Sequence, residues 1–293
     1  MTGSGGVATK QILPAMRTMF VVSAGLVLIM GTILYGWPGE TDRLFAWTIA
    51  SPLTAATIGA SYLSACGLEL AAVSRDAWSR ARVAGLGVWL FTLLTLAATL
   101  IHHDRFHFDS GEMTAKAFAW VWLGVYVSVP VALGAALVRQ HTAAGVDEAG
   151  GPRLSRFSRT TFGVLGAGMA VYGLAIAVSP STAVQVWPWP LTDLTARALA
   201  AWMVGLGVVS IHTALEDAIE NSVPMVAAAV PWVALVLLAL VRFRDEPDWG
   251  SPSVWIYVAT IVALGAAAAD TAVRLYEARR CPSSSLRTSH GKR

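Results

Sequence analysis

Charged residues are confined to short stretches of this chain, and long uncharged runs separate them. Eight such runs cover residues 18–39, 44–68, 83–101, 117–138, 160–192, 198–215, 221–241 and 249–269. A helix needs about 20 apolar residues to cross the hydrocarbon core of a bilayer. The runs are also apolar on every side, whereas strands of a membrane barrel alternate between two faces. The pattern predicts an all-α membrane protein with eight transmembrane helices.

The run over residues 160–192 is too long for a single span. The stretch "SPSTAVQVWPWP" at 179–190 carries three prolines, which interrupt the helical hydrogen-bond ladder. We therefore expect one helix that ends near Val178, followed by a proline-rich loop.

The second half of the chain resembles the first. "RTMF" at residues 17–20 matches "RTTF" at residues 159–162, and further polar and aromatic residues match after nearly constant intervals. The matching pairs include Gly31 with Gly173, Asp76 with Asp217, and Trp120 with Trp255. The interval changes only in the loops, as expected after duplication and divergence. These matches predict two tandem four-helix repeats.

Four helices return each repeat to the side on which it began, so both repeats have the same orientation. The expected pseudo-two-fold axis then runs along the membrane normal. The predicted segments are an N-terminal segment (1–15), the first repeat (16–139), a linker (140–157), the second repeat (158–276) and a disordered tail (277–293).

Lysine and arginine are unevenly divided between the two predicted sides. The side that holds both termini has 15 of the 21, and the other side has 6. The positive-inside rule therefore predicts a multi-pass cell-membrane protein with both termini in the cytoplasm. The bilayer accounts for this charge, so no nucleic-acid partner is expected. The sequence does not determine the oligomeric state.

Two cytoplasmic loops carry opposite charges. "RDAWSRAR" at residues 75–82 is basic, and "EDAIEN" at residues 216–221 is acidic. We expect the loops to attract each other and to hold the two repeats in register; the alternative is two independent solvated loops.

The related stretches "WTIASPLTAA" (47–56) and "WPWPLTDLTAR" (187–197) each contain a helix-start signal. Ser51 and Thr192 are expected N-caps, because their side-chain oxygens can accept a bond from an unpaired N–H. Pro52 suits the first helical position, where no N–H is needed.

Trp47, Trp187 and Trp189 adjoin these caps on the external side. One interpretation is an aromatic belt at the membrane interface together with packing inside the protein. The other is an outward-facing pocket for a lipid, an isoprenoid or a drug-like molecule.

The external stretch "HHDRFHFD" adds His102, His103 and Asp104 to the candidate pocket. Histidine and aspartate can bind zinc, but their spacing matches no standard metal motif. Motifs for phosphate binding, metalloproteases and hydrolases are also missing from the sequence. No metal or cofactor is therefore expected.

Four further ionisable residues lie in or beside predicted helices two, six and eight: Glu69, His212, Glu216 and Asp270. Ionisable residues within membrane segments are candidate functional groups. One hypothesis is a relay that carries a proton or a cation. The alternative is that these side chains extend to the nearby headgroups.

The stretch "FAWTIASPLTAAT" at residues 45–57, with its repeat "WPWPLTDLTAR", resembles a group of bacterial polytopic membrane proteins of unknown activity. The resemblance implies a bacterial membrane protein and no particular reaction.

Three functions are compatible with these patterns. The favoured one is binding or transport of a small lipophilic solute at a site between the two repeats. The alternatives are a membrane-embedded enzyme that acts on a lipid or isoprenoid at the external face, and a non-catalytic scaffold.

Overall fold

A computed structural model describes residues 8–148 and 151–280, except for the side chains of residues 182 and 183. The described chain is mostly helical. Eight of the described helices are long and apolar enough to cross a membrane, which confirms the predicted number; α2 and α7 are short. The helices are α1 (Pro14–Gly36), α2 (Thr41–Leu44), α3 (Pro52–Val73), α4 (Arg82–Ile101), α5 (Met113–Thr142), α6 (Arg156–Val178), α7 (Pro180–Val186), α8 (Asp193–Glu216), α9 (Val223–Arg242) and α10 (Pro252–Arg280).

The long apolar run at 160–192 is divided at Pro180. α6 ends at Val178 as expected, but the next segment is not a loop throughout, because α7 occupies Pro180–Val186. Proline cannot continue α6, since it lacks an N–H, but its fixed φ suits the first position of a new helix.

Two long helices extend past the predicted segment boundaries. α5 continues to Thr142, beyond the expected end of the first repeat at 139, and α10 continues to Arg280. The predicted disorder is therefore wrong for residues 277–280, which are helical. The rest of the predicted tail, 281–293, lies outside the described residues.

Helices α3 and α8 are the most buried of the eight long helices. α3 packs between α1 and α9, and α8 packs between α6 and α4. α3 reads "PLTAATIGASYLSACGLELAAV", in which small residues lie on every face. Small side chains let neighbouring backbones approach closely, which is how helices associate in a bilayer. We call helices α1–α5 the first half and α6–α10 the second half.

Gly87 of α4 and Gly205 of α8 mark one such close approach between the halves. A Cβ atom on Gly87 would lie 2.6 Å from the carbonyl oxygen of Gly205, which is too close for any side chain. The cross-half contact between α4 and α8 thus depends on glycine at this position.

Both predicted N-caps are confirmed. The Ser51 side chain accepts a hydrogen bond from the Thr54 N–H, and Pro52 begins α3. The Thr192 side chain accepts from the Thr195 N–H at the start of α8.

Ion pairs connect the loops at the end of the bundle where α1 begins, which we call the N-terminal end. Arg17 pairs with Asp76 at 2.8 Å, and Arg159 pairs with Asp217 at 3.1 Å. Arg82 pairs with Glu216 at 2.5 Å across the two halves. The predicted attraction between the basic and acidic loops is therefore confirmed.

Candidate functional site

A cavity of about 250 Å³ lies inside the first half, with one wall formed by α8. Its lining comes from residues 19–30 of α1, 62–69 of α3, 87–92 of α4, 118–133 of α5 and 202–209 of α8. Aromatic rings dominate its centre: Phe91 packs on Trp202 with ring centroids 4.0 Å apart, and Trp122 packs on Tyr126 at 4.4 Å. The space suits an apolar molecule smaller than a drug-sized ligand.

This first cavity opens towards the surface between α1 and α5. Three of its lining residues, Val22, Ile29 and Val121, are also at least half exposed. They lie on apolar helices that are long enough to cross a membrane. The opening is therefore surrounded by apolar surface of the kind that contacts lipid chains.

Glu69 lies in the first cavity, close to the end of α3 at Val73 and about 6 Å from it along the helix axis. Its side chain is buried, and its Oε1 accepts a hydrogen bond of 2.6 Å from the Ser23 hydroxyl of α1. Within the described part of the chain, its buried Oε2 has no hydrogen-bond partner. Nearby, the hydroxyls of Tyr62 and Tyr126 bond to each other at 2.7 Å.

A second cavity, of about 390 Å³, lies mainly in the second half. Its lining comes from residues 165–172 of α6, 199–206 of α8 and 253–261 of α10, with contributions from α3, α9 and the segment at 186–188. Trp202 and Leu206 line both cavities. The two spaces therefore adjoin the same stretch of α8.

A third space, an open cleft of about 570 Å³, lies between the halves at the opposite end of the bundle from Pro14. Its walls include both helix caps, Ser51 and Thr192. Glu246 accepts a 2.5 Å bond from the Ser51 hydroxyl and a 3.0 Å bond from the Leu53 N–H. The carboxylate thus already has partners that satisfy it.

The expected single site between the repeats stays a prediction. The first half supplies most of the lining of the first cavity and the second half most of the lining of the second, and both halves line the open cleft. Helices α3, α4, α8 and α9 pack across the centre through small residues, which leaves the larger apolar spaces towards the outer helices.

The four residues of the predicted relay fall into separate hydrogen-bonded groups. Glu69 bonds to Ser23, whereas His212 and Asn221 both bond to Glu216. Asp270 accepts hydrogen bonds from Ser155 and Ser158 of the second half and from Arg274. The relay stays a prediction, and of its members Glu69 alone lines one of the three spaces described above.

The three tryptophans of the candidate pocket are also dispersed. Trp47 is buried against Phe45, and Trp189 is buried with its Nε1 donating to Thr54. Burial of these two rings agrees with the packing interpretation, and the external pocket stays a prediction. Trp187 lines the second cavity, where its ring packs on Tyr257.

The histidine-rich loop forms several local contacts, and its described residues line none of the three spaces above. His103 and Asp104 are partly to fully exposed, and Asp104 pairs with Arg105. His102 Nε2 accepts a 2.6 Å bond from Arg197 of α8.

His102 caps the end of α4 outside the apolar span. Partial burial, and then the positive charge of Arg197, lower the pKa of the His102 imidazole below its usual value of 6.5. The imidazole therefore remains neutral and able to accept the hydrogen bond.

Sequence reasoning missed Ser23, Tyr62 and Tyr126 because, within the helices, it considered only ionisable residues as candidates. A buried tyrosine needs a partner for its hydroxyl, so Tyr62 and Tyr126 within apolar helices were an available signal. The pairing of Ser23 with Glu69 depends on how α1 packs against α3, and no local pattern reports that.

No family model, no curated protein and no solved structure matches this chain.

Proposed function

We propose that this protein is an integral membrane protein that binds, and moves across or within the bilayer, a small lipophilic solute. The observation that carries the proposal is the pair of apolar cavities of about 250 and 390 Å³ beneath the outer helices. Empty apolar space forfeits packing contacts. A lipophilic ligand that enters from the surrounding lipid would restore those contacts.

The second cavity has an opening like that of the first. Gly168 of α6 and Ile256 of α10 line it, and Ile256 is two-thirds exposed. The openings between α1 and α5, and between α6 and α10, both face the sides of the bundle. Lateral entry suits a solute that is already dissolved in the bilayer.

A duplicated architecture, with the pseudo-two-fold axis along the membrane normal, is part of this proposal. Equivalent helices make equivalent contacts: α1 packs on α3 as α6 packs on α8, and α3 packs on α9 as α8 packs on α4. Gly31 approaches the carbonyl oxygen of Gly59, and Gly173 approaches that of Ala200. When the two halves are aligned on their matching motifs, Gly31 corresponds to Gly173 and Gly59 to Ala200.

The cavities correspond in the same way. In the last helix of each half, α5 and α10, residues 118, 121, 122, 125 and 126 line the first cavity, and residues 253, 256, 257, 260 and 261 line the second. The interval between the members of each pair is the same throughout, and it is also the interval that separates Trp120 from Trp255. This correspondence supports the proposal that both cavities derive from one ancestral binding site that was duplicated with the chain.

The same proposal places the protein in a bacterial cell membrane with both termini in the cytoplasm. The support is the excess of lysine and arginine in the loops on that side, which the positive-inside rule assigns to the cytoplasm.

Gly168→Leu tests the binding function. A Cβ atom on Gly168 meets open space, and the first half has Leu26 at the corresponding position. We expect the leucine to narrow the second cavity and to weaken saturable binding of a neutral lipophilic fluorophore, N-phenyl-1-naphthylamine, to protein in lipid nanodiscs. Empty nanodiscs give the background of lipid partitioning.

Gly124→Leu is the matched control. Gly124 is also a helical glycine with open space around its Cβ, but it lies on α5 and lines neither cavity. Equal binding by both variants would remove the second cavity from the proposal. A wild-type protein with no saturable binding of lipophilic probes would favour the scaffold.

A further inference from the structure

The two apolar cavities differ in charge. Glu69 lines the first, whereas the described residues that line the second include no acidic or basic side chain. In the alignment of the two halves, Ser210 takes the place of Glu69, and Leu165 takes the place of Ser23. The polar pair is therefore a property of the first cavity alone.

The Glu69 carboxylate has one oxygen atom that is free, within the described chain, to accept a hydrogen bond from a ligand. Its side chain is 1% exposed, and the Ser23 hydroxyl satisfies only Oε1. Oε2 is buried without a hydrogen bond among the described residues. A carboxylate in such surroundings needs a proton or a cation, because burying an isolated ion costs a large desolvation energy.

The protein does not provide that cation within the cavity. None of the described lining residues is lysine, arginine or histidine. Arg17, the basic residue near the start of α1, instead donates to the carbonyl oxygens of Val73 and Arg75 and to Asp76.

The described lining residues do not provide the oxygen ligands that a bare calcium or magnesium ion requires. Calcium binds six to eight oxygens, and magnesium also requires a full octahedral shell. The first cavity offers the Glu69 carboxylate, the Ser23 hydroxyl, the Thr92 hydroxyl, which donates to a backbone carbonyl, and two tyrosine hydroxyls that already bond to each other. Its other walls are mostly apolar and aromatic, so the cation should carry its own apolar body.

We propose that the first cavity binds a small lipophilic amine, with the ammonium group at Glu69 and the apolar part among the rings of Phe91, Trp122 and Trp202. The inference rests on the proposed binding of lipophilic solutes and names the class that one of the two cavities takes. Beyond Ser23, the lining along α1 continues to Met30, about 10 Å along the helix, which gives the space for the apolar chain.

The test compares n-octylammonium with 1-octanol, which has the same number of heavy atoms and no charge. Saturable binding of each radiolabelled probe is measured at neutral pH on full-length protein in zwitterionic nanodiscs, with empty nanodiscs subtracted. We expect wild-type protein to bind the ammonium probe about tenfold more tightly than the alcohol, since a charge-assisted hydrogen bond is the stronger kind.

Glu69→Gln should remove this preference by weakening n-octylammonium binding about tenfold while changing 1-octanol binding less than about twofold. Glu277→Gln, the same chemical change at an exposed position on α10, should leave both affinities unchanged. Glu69→Asp keeps the charge and should keep a preference for the amine.

Equal wild-type affinity for the two probes would overturn the amine inference and leave the proposed lipophile binding intact. This comparison needs no variant, so it holds even if Glu69→Gln fails to fold. Saturable binding of neither probe would overturn the inference as well. Failure of the neutral fluorophore to bind would then show that the proposed function itself is wrong.

Discussion

Many of the buried hydroxyl side chains in the described helices bond to the backbone of their own helix. Ser61, Ser64, Thr95 and Thr213 each donate to the carbonyl oxygen one helical turn earlier. A bilayer offers no water to satisfy such groups, so this local bond is the available solution. A carboxylate cannot use it, because an ionised carboxylate has no proton to donate. Glu69 therefore depends on a neighbouring helix or a ligand.

We expect His102 to make the stability of the folded protein depend on pH. Its pKa is lowered in the folded protein, so the unfolded chain binds more protons as the pH falls below about 6.5. The contribution of His102 to stability is therefore fully present above about pH 6.5 and is lost as the pH falls through its lowered pKa. We expect His102→Gln to reduce the fall in the thermal unfolding midpoint between pH 7.5 and 5.5, since the glutamine amide oxygen can still accept from Arg197.

His103→Gln is the control for His102→Gln, because His103 lies in the same loop and its side chain is exposed. It should leave the pH dependence of the wild-type protein unchanged. Identical pH profiles for His102→Gln and wild-type protein would show that protonation of His102 does not affect folding.

At the scale of single helices, close packing depends on where glycine lies. A Cβ on Gly31 of α1 would be 2.8 Å from the backbone nitrogen of Leu63, whereas a Cβ on Gly25 would meet nothing within 4 Å. Gly31→Ala should therefore lower the free energy of unfolding by about 1–3 kcal/mol through overpacking between α1 and α3. Unfolding in mixed micelles at increasing SDS concentration measures this change.

Gly25→Ala provides the matched control on the same helix. Alanine has the higher helix propensity and meets no neighbour here, so stability should stay the same or rise slightly. An equal loss in both variants would mean that the effect comes from the helix itself and not from its contact with α3.

The sequence predicts well those elements whose formation depends on residues close together in the chain. Ser51 and Thr192 cap α3 and α8 because a cap needs only a polar side chain and the first turn of its own helix. The spans follow from hydropathy alone. α7 was missed because so short a segment between prolines carries too little periodicity to distinguish a helix from a loop.

The cavities and their polar residues could not be predicted in this way. Trp47 and Trp187 have similar sequence surroundings, yet Trp47 is buried in the first half and Trp187 lines the second cavity. Which residue faces a cavity depends on how several helices pack together. Glu69 was identified by its charge, but its partner Ser23 lies on a different helix, far earlier in the chain.

At the scale of the molecule, the two halves are joined by helix contacts at the centre and by charge at the N-terminal end. α3 contacts α9, and α4 contacts α8, so each half contributes one inner helix to the other's packing. Phe91 meets Trp202 at one of these contacts, and Trp232 donates to Ser61 at the other. In the proposed alignment of the halves, Phe91 corresponds to Trp232 and Ser61 to Trp202, so the two contacts exchange places as the proposed two-fold arrangement predicts.

The Arg82–Glu216 ion pair is expected to stabilise this arrangement measurably. Its side chains are only 28% and 8% exposed, so water screens their attraction less than at the surface. A double-mutant cycle with Arg82→Gln and Glu216→Gln should give a coupling free energy of about 1 kcal/mol. The exposed Arg43–Glu40 pair, at 61% and 48%, should give about 0–0.5 kcal/mol. A coupling for Arg82 and Glu216 no larger than this control would show that the helix contacts alone hold the halves in register.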